Sequence, residues 1–306
     1  MEPALGPADL RQQEGQREPG ESADEGRDDA VGEHEVEDAF TRTVDEGRRR
    51  ISRGAWPLLA TGMLGGIDVG TGVLALLLVE HETGSILLGG LAFSIGLIAL
   101  SLARSELFTE DFLVPVMTVI ARQARSRMLL RLWSGTLVGN LVAGWLFTYL
   151  LMAGFPQFAD TAITAGTHYV DLGLGRQAFA LALLGGGVIT LMTWMQHNTD
   201  SKGLKLVPAV TAGFLLAGAQ LNHAIVNSLL MFSALHTGRA PFGYLEWAQT
   251  AGLAAVGNLV GGLLLVTLLR LFQVPGKLKQ ERQQPVRGVP VGDDRDVPAE
   301  GDVEGA

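Results

Sequence analysis

Cysteine is absent from all 306 residues, which excludes disulfides and thiolate metal sites. Charge is scarce too. Asp, Glu, Lys and Arg make up 18% of the chain, against about 25% in an ordinary soluble domain. No Gly-x-Ser-x-Gly, no His-Glu-x-x-His and no suggestively spaced Ser/His pair occurs, so an enzyme is not the expected class. Nothing calls for a metal, a cofactor or a nucleic-acid partner. The first 47 residues lack the apolar core of a cleavable signal peptide, so the first membrane helix is expected to direct insertion.

What is present is strongly partitioned. Residues 1–47 hold 15 acidic and 4 basic side chains and almost no large apolar ones, and residues 274–306 are likewise polar. Such segments bury too little apolar surface to offset their ordering entropy, so both are expected to be disordered tails. Between them, residues 48–273 carry 14 basic against 10 acidic side chains, so the net charge of −9 belongs to the tails.

A helix needs about 20 apolar residues to cross a bilayer. Six segments qualify: 56–79, 86–121, 132–153, 177–195, 206–235 and 248–272, the second and fifth of them interrupted. The expected class is therefore all-α, a multi-pass protein of a lipid bilayer, in bacterial terms the inner membrane. Arg48, Arg49, Arg50 and Arg53 precede the first span. Arg122, Arg125, Arg127 and Arg131 follow the second, Lys202 and Lys205 follow the fourth, and Arg270, Lys277, Lys279, Arg282 and Arg287 flank the sixth. The other three loops contribute only Arg176 and Arg239. That asymmetry predicts cytoplasmic termini.

An internal repeat sharpens the picture. VGNLVAG at 138–144 returns as VGNLVGG at 256–262, an offset of 118. The same offset carries the first span onto the fourth and Leu107 in one interruption onto Ile225 in the other. Three helices per repeat is an odd number, so the halves must enter the membrane in opposite directions. Inverted repeats with a broken helix in each half characterise transport folds, the solute path lying between the breaks. Glycines at four-residue spacing (Gly62, Gly66 and Gly70; Gly135 and Gly139; Gly257 and Gly261) suit close helix packing in lipid.

The first interruption, residues 104–111, reads RSELFTED. Four ionisable side chains there are too costly to face lipid. Thr109 followed by Glu110 and Asp111 reads as an N-cap restarting the helix, with Pro115 just inside it. Arg104 and Asp68, both near mid-span, are expected to pair, while Glu106 falls on another face of a regular helix. The second interruption, residues 220–227, reads QLNHAIVN and puts His223 and Asn227 on one helix face. Two half-helix N-termini aimed at the centre favour an anion, and a histidine there can exchange a proton with it. A histidine hydrogen-bonded in a packed core is the plain alternative.

At these residues the chain resembles the formate/nitrite transporter family over about residues 50–272. The resemblance implies an aquaporin-like fold and a homopentamer carrying a small monocarboxylate or inorganic anion. By that resemblance Leu107, Phe108 and Thr109 form the inner constriction, Phe93 and Leu97 line the pore and Leu216 stands at the outer constriction. His223 and Asn227 match the central histidine and its companion. Asn222 stands where the family usually has an acid, Gly186 where it has an asparagine, and residues 154–176 hold no lysine to draw anions in. A channel for an anion or its neutral acid leads. An aquaporin-like neutral-solute channel lacks its Asn-Pro-Ala signature in either break, and a non-transporting scaffold or intramembrane enzyme stays open.

Overall fold

The computed structural model describes residues 19–286. The regular structure of the described residues is entirely helical, without strands. Helix α1 spans Pro19–Ser52, α2 Ala55–Thr83 and α3 Ile86–Ala103. A non-helical stretch, a 3-10 turn at Glu110–Phe112 and the short α4 (Val114–Ile120) follow. Next come α5 (Ser126–Gly154), α6 (Ala159–Asp171), α7 (Arg176–His197), α8 (Leu206–Gly218) and α9 (Ala224–His236). Helix α10 (Tyr244–Gly262) runs through a π turn at Leu263–Thr267 into α11 (Leu268–Gln273), and α12 (Pro275–Gln283) closes the described chain.

Among the described residues, five stretches are long and apolar enough to cross a membrane: α2, α3, α5, α7 and the continuous Tyr244–Gln273. The sixth expected span is the pair of shorter apolar helices α8 and α9, separated at residues 219–223. Both expected interruptions are present. Helix α6, inside the loop between two spans, was not expected.

Packing follows from where side chains are missing. Helix α2 lies against α3 and α5, α7 against α10, and α3 crosses α8. A side chain at Gly66 would collide with the backbone of Asn140, and one at Gly186 with Asn258. Gly90 meets the backbone of Gly218 at the α3–α8 crossing. Without an aqueous hydrophobic effect between helices, such close approach is what holds them.

The N-terminal tail departs from expectation. Instead of remaining disordered to residue 47, the chain is helical from Pro19, and Ala39, Phe40 and Val44 are buried among Leu113, Val114, Met117 and Trp194. The apolar residues Val36, Phe40 and Val44 recur every fourth position, forming a stripe that the acidic average of the segment conceals. Thr118 Oγ1 donates to the Val44 carbonyl at 3.2 Å, tying α1 to α4. Past the last span, residues 275–283 are also helical rather than disordered, and Gln123 Nε2 donates to the Glu281 carbonyl at 2.9 Å. Residues 1–18 and 287–306 of the expected tails lie outside the described residues.

Two predictions follow from this packing. Gly66→Val and Gly186→Val should each cost about 3 kcal/mol or more, since neither backbone neighbour can yield. Gly252, with open space around it, should accept alanine without loss; thermal unfolding in detergent reads both. The second concerns α1. Burial works to raise the Glu46 pKa, but the guanidiniums of Arg50 and Arg49 outweigh it and hold the group down at about 2, from 4.5. A depressed carboxylate stabilises the fold fully above its ordinary pKa. Protease protection of α1 should therefore be complete above pH ~4.5 and fade as pH falls toward ~2.

Candidate functional site

Backbone groups in a break have no helical partners and must be satisfied by side chains at membrane depth. Two asparagines do this. Asn140, on α5 and fully buried, donates from Nδ2 to the carbonyls of Gly62 (2.7 Å) and Glu106 (2.8 Å) and accepts from the Phe108 N–H (2.9 Å). Asn258, on α10, donates to the carbonyls of Ala182 (2.8 Å) and Asn222 (2.9 Å) and accepts from the Ala224 N–H (2.9 Å). These are the asparagines of the two GNLV motifs. Their partners correct the register between the breaks: Glu106 corresponds to Asn222 and Phe108 to Ala224, a separation of 116 rather than 118. The residue equivalent to Leu107 is therefore His223, not Ile225.

His223 is the N-cap of α9, its Nδ1 accepting from the Val226 N–H at 3.3 Å. With Nδ1 acting as acceptor, the ring proton sits on Nε2, which lies 2.8 Å from Thr109 Oγ1. This contact joins the two breaks at their centre. Thr109 thus departs from its expected role. It precedes the 3-10 turn at Glu110–Phe112 without capping it, and its hydroxyl faces His223 instead. Asn227 pairs with Asn222 at 2.6 Å, and Asn222 Nδ2 donates to the Ala178 carbonyl at 3.0 Å. His223, Asn222, Asn227 and Thr109 are all buried.

The surroundings are apolar. Phe93, Leu97, Leu107, Phe108 and Leu216 belong to one buried cluster. Phe108 meets Phe112 edge to face, with ring centroids 4.9 Å apart. Ser94 Oγ donates to the Val210 carbonyl at 2.9 Å, holding the Phe93 region of α3 against α8. In a medium of this kind a bare anion is expensive, whereas one polar pair supplies a donor at a single point.

The charged residues depart further from expectation. Arg104 adopts a left-handed conformation (φ 56°) as the C-cap of α3, is exposed on this chain and does not pair with Asp68. The φ reversal that ends α3 turns its side chain out of the bundle. Asp68 accepts a short hydrogen bond from Ser105 Oγ instead. Buried Glu106 is paired from the end of α1 and the residue after it: Arg53 Nη1 forms an ion pair with its carboxylate, and Arg50 Nε lies 3.6 Å away. Arg50 also approaches Asp111 (3.6 Å) and Glu110 (4.0 Å). Three buried carboxylates of the first break thus face two guanidiniums from the N-terminal flank. In the sequence Arg50 and Arg53 read only as a topology signal. The clue to their second role was that the carboxylates of the break need cations and have only Arg104 close by.

These pairs lead to a prediction. Arg50→Ala should destabilise the protein by about 3 kcal/mol or more, because it strands buried carboxylates. Arg53→Ala should cost less, its side chain being 26% exposed. The double variant Arg53→Ala/Glu106→Gln should recover most of the Arg53→Ala loss in thermal unfolding; equal instability of the two would mean that the pair is not coupled.

Comparison with known proteins bears on the same region. A family model described as formate/nitrite transporter matches residues 37–272, beginning inside α1. The inner membrane protein YfdC of Escherichia coli (strain K12) is 27% identical over 258 residues, covering 79% of this chain and 80% of its own. The formate channel FocA of the same strain is 25% identical over 206 residues, covering 60% of this chain and 72% of its own. Among solved structures, a pentameric formate channel with formate bound aligns with TM-score 0.61 at 22% identity, covering 71% of this chain and 96% of that one. An FNT family ion channel aligns with TM-score 0.69 at 17% identity, covering 78% and 99%. At these identities the structural likeness speaks to the fold.

Proposed function

Because the chain belongs to the formate/nitrite transporter family, we propose that it conducts a small monovalent anion across the membrane as its neutral acid. The observation that carries this reading is the 2.8 Å contact between His223 Nε2 and Thr109 Oγ1, which joins the two breaks inside a buried apolar cluster. An anion reaching this point has left most of its hydration behind, and a charge there is costly. As the anion approaches, His223 takes up a proton at Nδ1 in place of the Val226 N–H bond, and its Nε2 proton passes through the Thr109 hydroxyl to the anion. The ring, neutral again, regains its starting tautomer by proton exchange. The proton thus travels with the anion. Phe93 and Leu216 form the outer constriction and Leu107 and Phe108 the inner one, Leu97 lines the pore, and Asn222 and Asn227 brace the backbone around the histidine.

The like roles of Asn140 and Asn258 support two inverted three-helix repeats with the path between their breaks. The basic flanks support cytoplasmic termini. A homopentamer is proposed by analogy with the pentameric relative.

A proteoliposome flux assay with formate, nitrite, lactate, hydrosulfide and glycerol tests the reading. Formate or nitrite flux rising as pH falls is the expected result; glycerol flux without anion flux would overturn it. His223→Asn retains an N-capping side chain but no titratable ring. It should assemble normally, conduct at least ~10-fold more slowly and lose the pH dependence, in line with the usual 10²–10⁴-fold worth of a positioned proton donor. Thr109→Val should slow flux while leaving a residual pH dependence.

A further inference from the structure

The last span ends in a feature that lies outside the proposed conduction path. Between α4, α11 and α12 lies a cavity of about 420 Å³, within the roughly 300–1,000 Å³ typical of ligand pockets. Its walls are Ile120, Leu268, Leu271, Phe272 and Leu278, and Lys279 and Arg282 stand among its lining residues. No carboxylate of the described residues lines it. Arg282 Nε donates to the Ile120 carbonyl at 3.0 Å, which fixes the guanidinium at the rim. Neither Arg282 nor Lys279 forms an ion pair among the described residues. The one acid of α12, Glu281, is buried and is not among the lining residues.

Position adds a second constraint. The cavity sits where the apolar span Tyr244–Gln273 ends, which in the inserted chain is where the helix leaves the bilayer. Exposed apolar residues lead away from it along the same helix: Leu264, Leu265, Leu269 and Phe272, the last 77% exposed. An occupant that matches this layout has an anionic head and an apolar tail. The geometry points to an anionic phospholipid of the adjoining leaflet, its phosphate between Lys279 and Arg282 and an acyl chain in the groove. Charge complementarity selects it over a zwitterionic lipid, since each basic residue near an anionic headgroup contributes roughly a fivefold factor in binding. This inference rests on membrane insertion and is independent of the solute carried.

The test is native mass spectrometry of the full chain in detergent, titrated with phosphatidylglycerol or phosphatidylcholine. Phosphatidylglycerol should be retained at least ~10-fold more tightly, and Lys279→Ala/Arg282→Ala should abolish that preference while leaving the assembly mass and transport unchanged. Millimolar glycerol 3-phosphate should not compete, because the headgroup alone forgoes the groove. Equal retention of the two lipids, or an unchanged preference in the double variant, would overturn the proposal. Competition by glycerol 3-phosphate would do the same, reducing the site to a phosphate site. The cysteine-free chain also permits a clean cross-linking control. Lys279→Cys carrying a photo-reactive label should capture lipid; capture of a neighbouring copy, or of residues 287–306, would assign the groove to that occupant instead.

Discussion

Backbone that leaves the helix inside a bilayer has no water to bond, and the fold depends on how that debt is met. Asn140 and Asn258 meet it, each supplying one acceptor and two donor contacts to a break and a neighbouring helix. A side-chain amide offers two donor hydrogens and a separate acceptor oxygen in one small group, where a hydroxyl has only one donor. The approach of α2 to Asn140 and of α7 to Asn258 is in turn possible only because Gly66 and Gly186 carry no Cβ. The glycine spacing and the GNLV motifs are therefore two halves of one device.

With the backbone accounted for, the side chains of the break residues are free for other uses. His223 caps α9 with one ring nitrogen and reaches Thr109 with the other. The first break has no equivalent, since Leu107 occupies the position that corresponds to His223. That asymmetry leaves a single polar pair between apolar walls. The family to which the chain belongs is one of transporters, and its formate-channel relatives are channels rather than enzymes.

The first break carries a cost that the second does not. Glu106, Glu110 and Asp111 are buried, and without cations they would be prohibitively expensive at that depth. Arg50 and Arg53 compensate, which explains why α1 is docked rather than loose. The apolar stripe at Phe40 and Val44 places the helix, and the guanidiniums use that placement. An acidic leader and an acidic break are thereby joined through the short basic run between them.

Much of this was legible in the sequence. Hydropathy alone located the spans, because lipid leaves a chain little choice but long apolar helices. Ionisable residues inside such spans located the first break, and the duplicated GNLV motif located the asparagines. What the sequence could not supply was register and partnership. The repeat offset differs from element to element, so extrapolating 118 from α5 and α10 misaligned the breaks by two residues. Arg104 was assigned to Asp68 because both fall at similar depth, yet a φ of 56° at the end of α3 turns the arginine out of the bundle. Sequence reports depth along a helix axis, whereas the direction of a side chain at an irregular end depends on backbone dihedrals set by tertiary contacts. For the same reason the pairing of Glu106 with arginines more than 50 residues upstream was decided only by the fold.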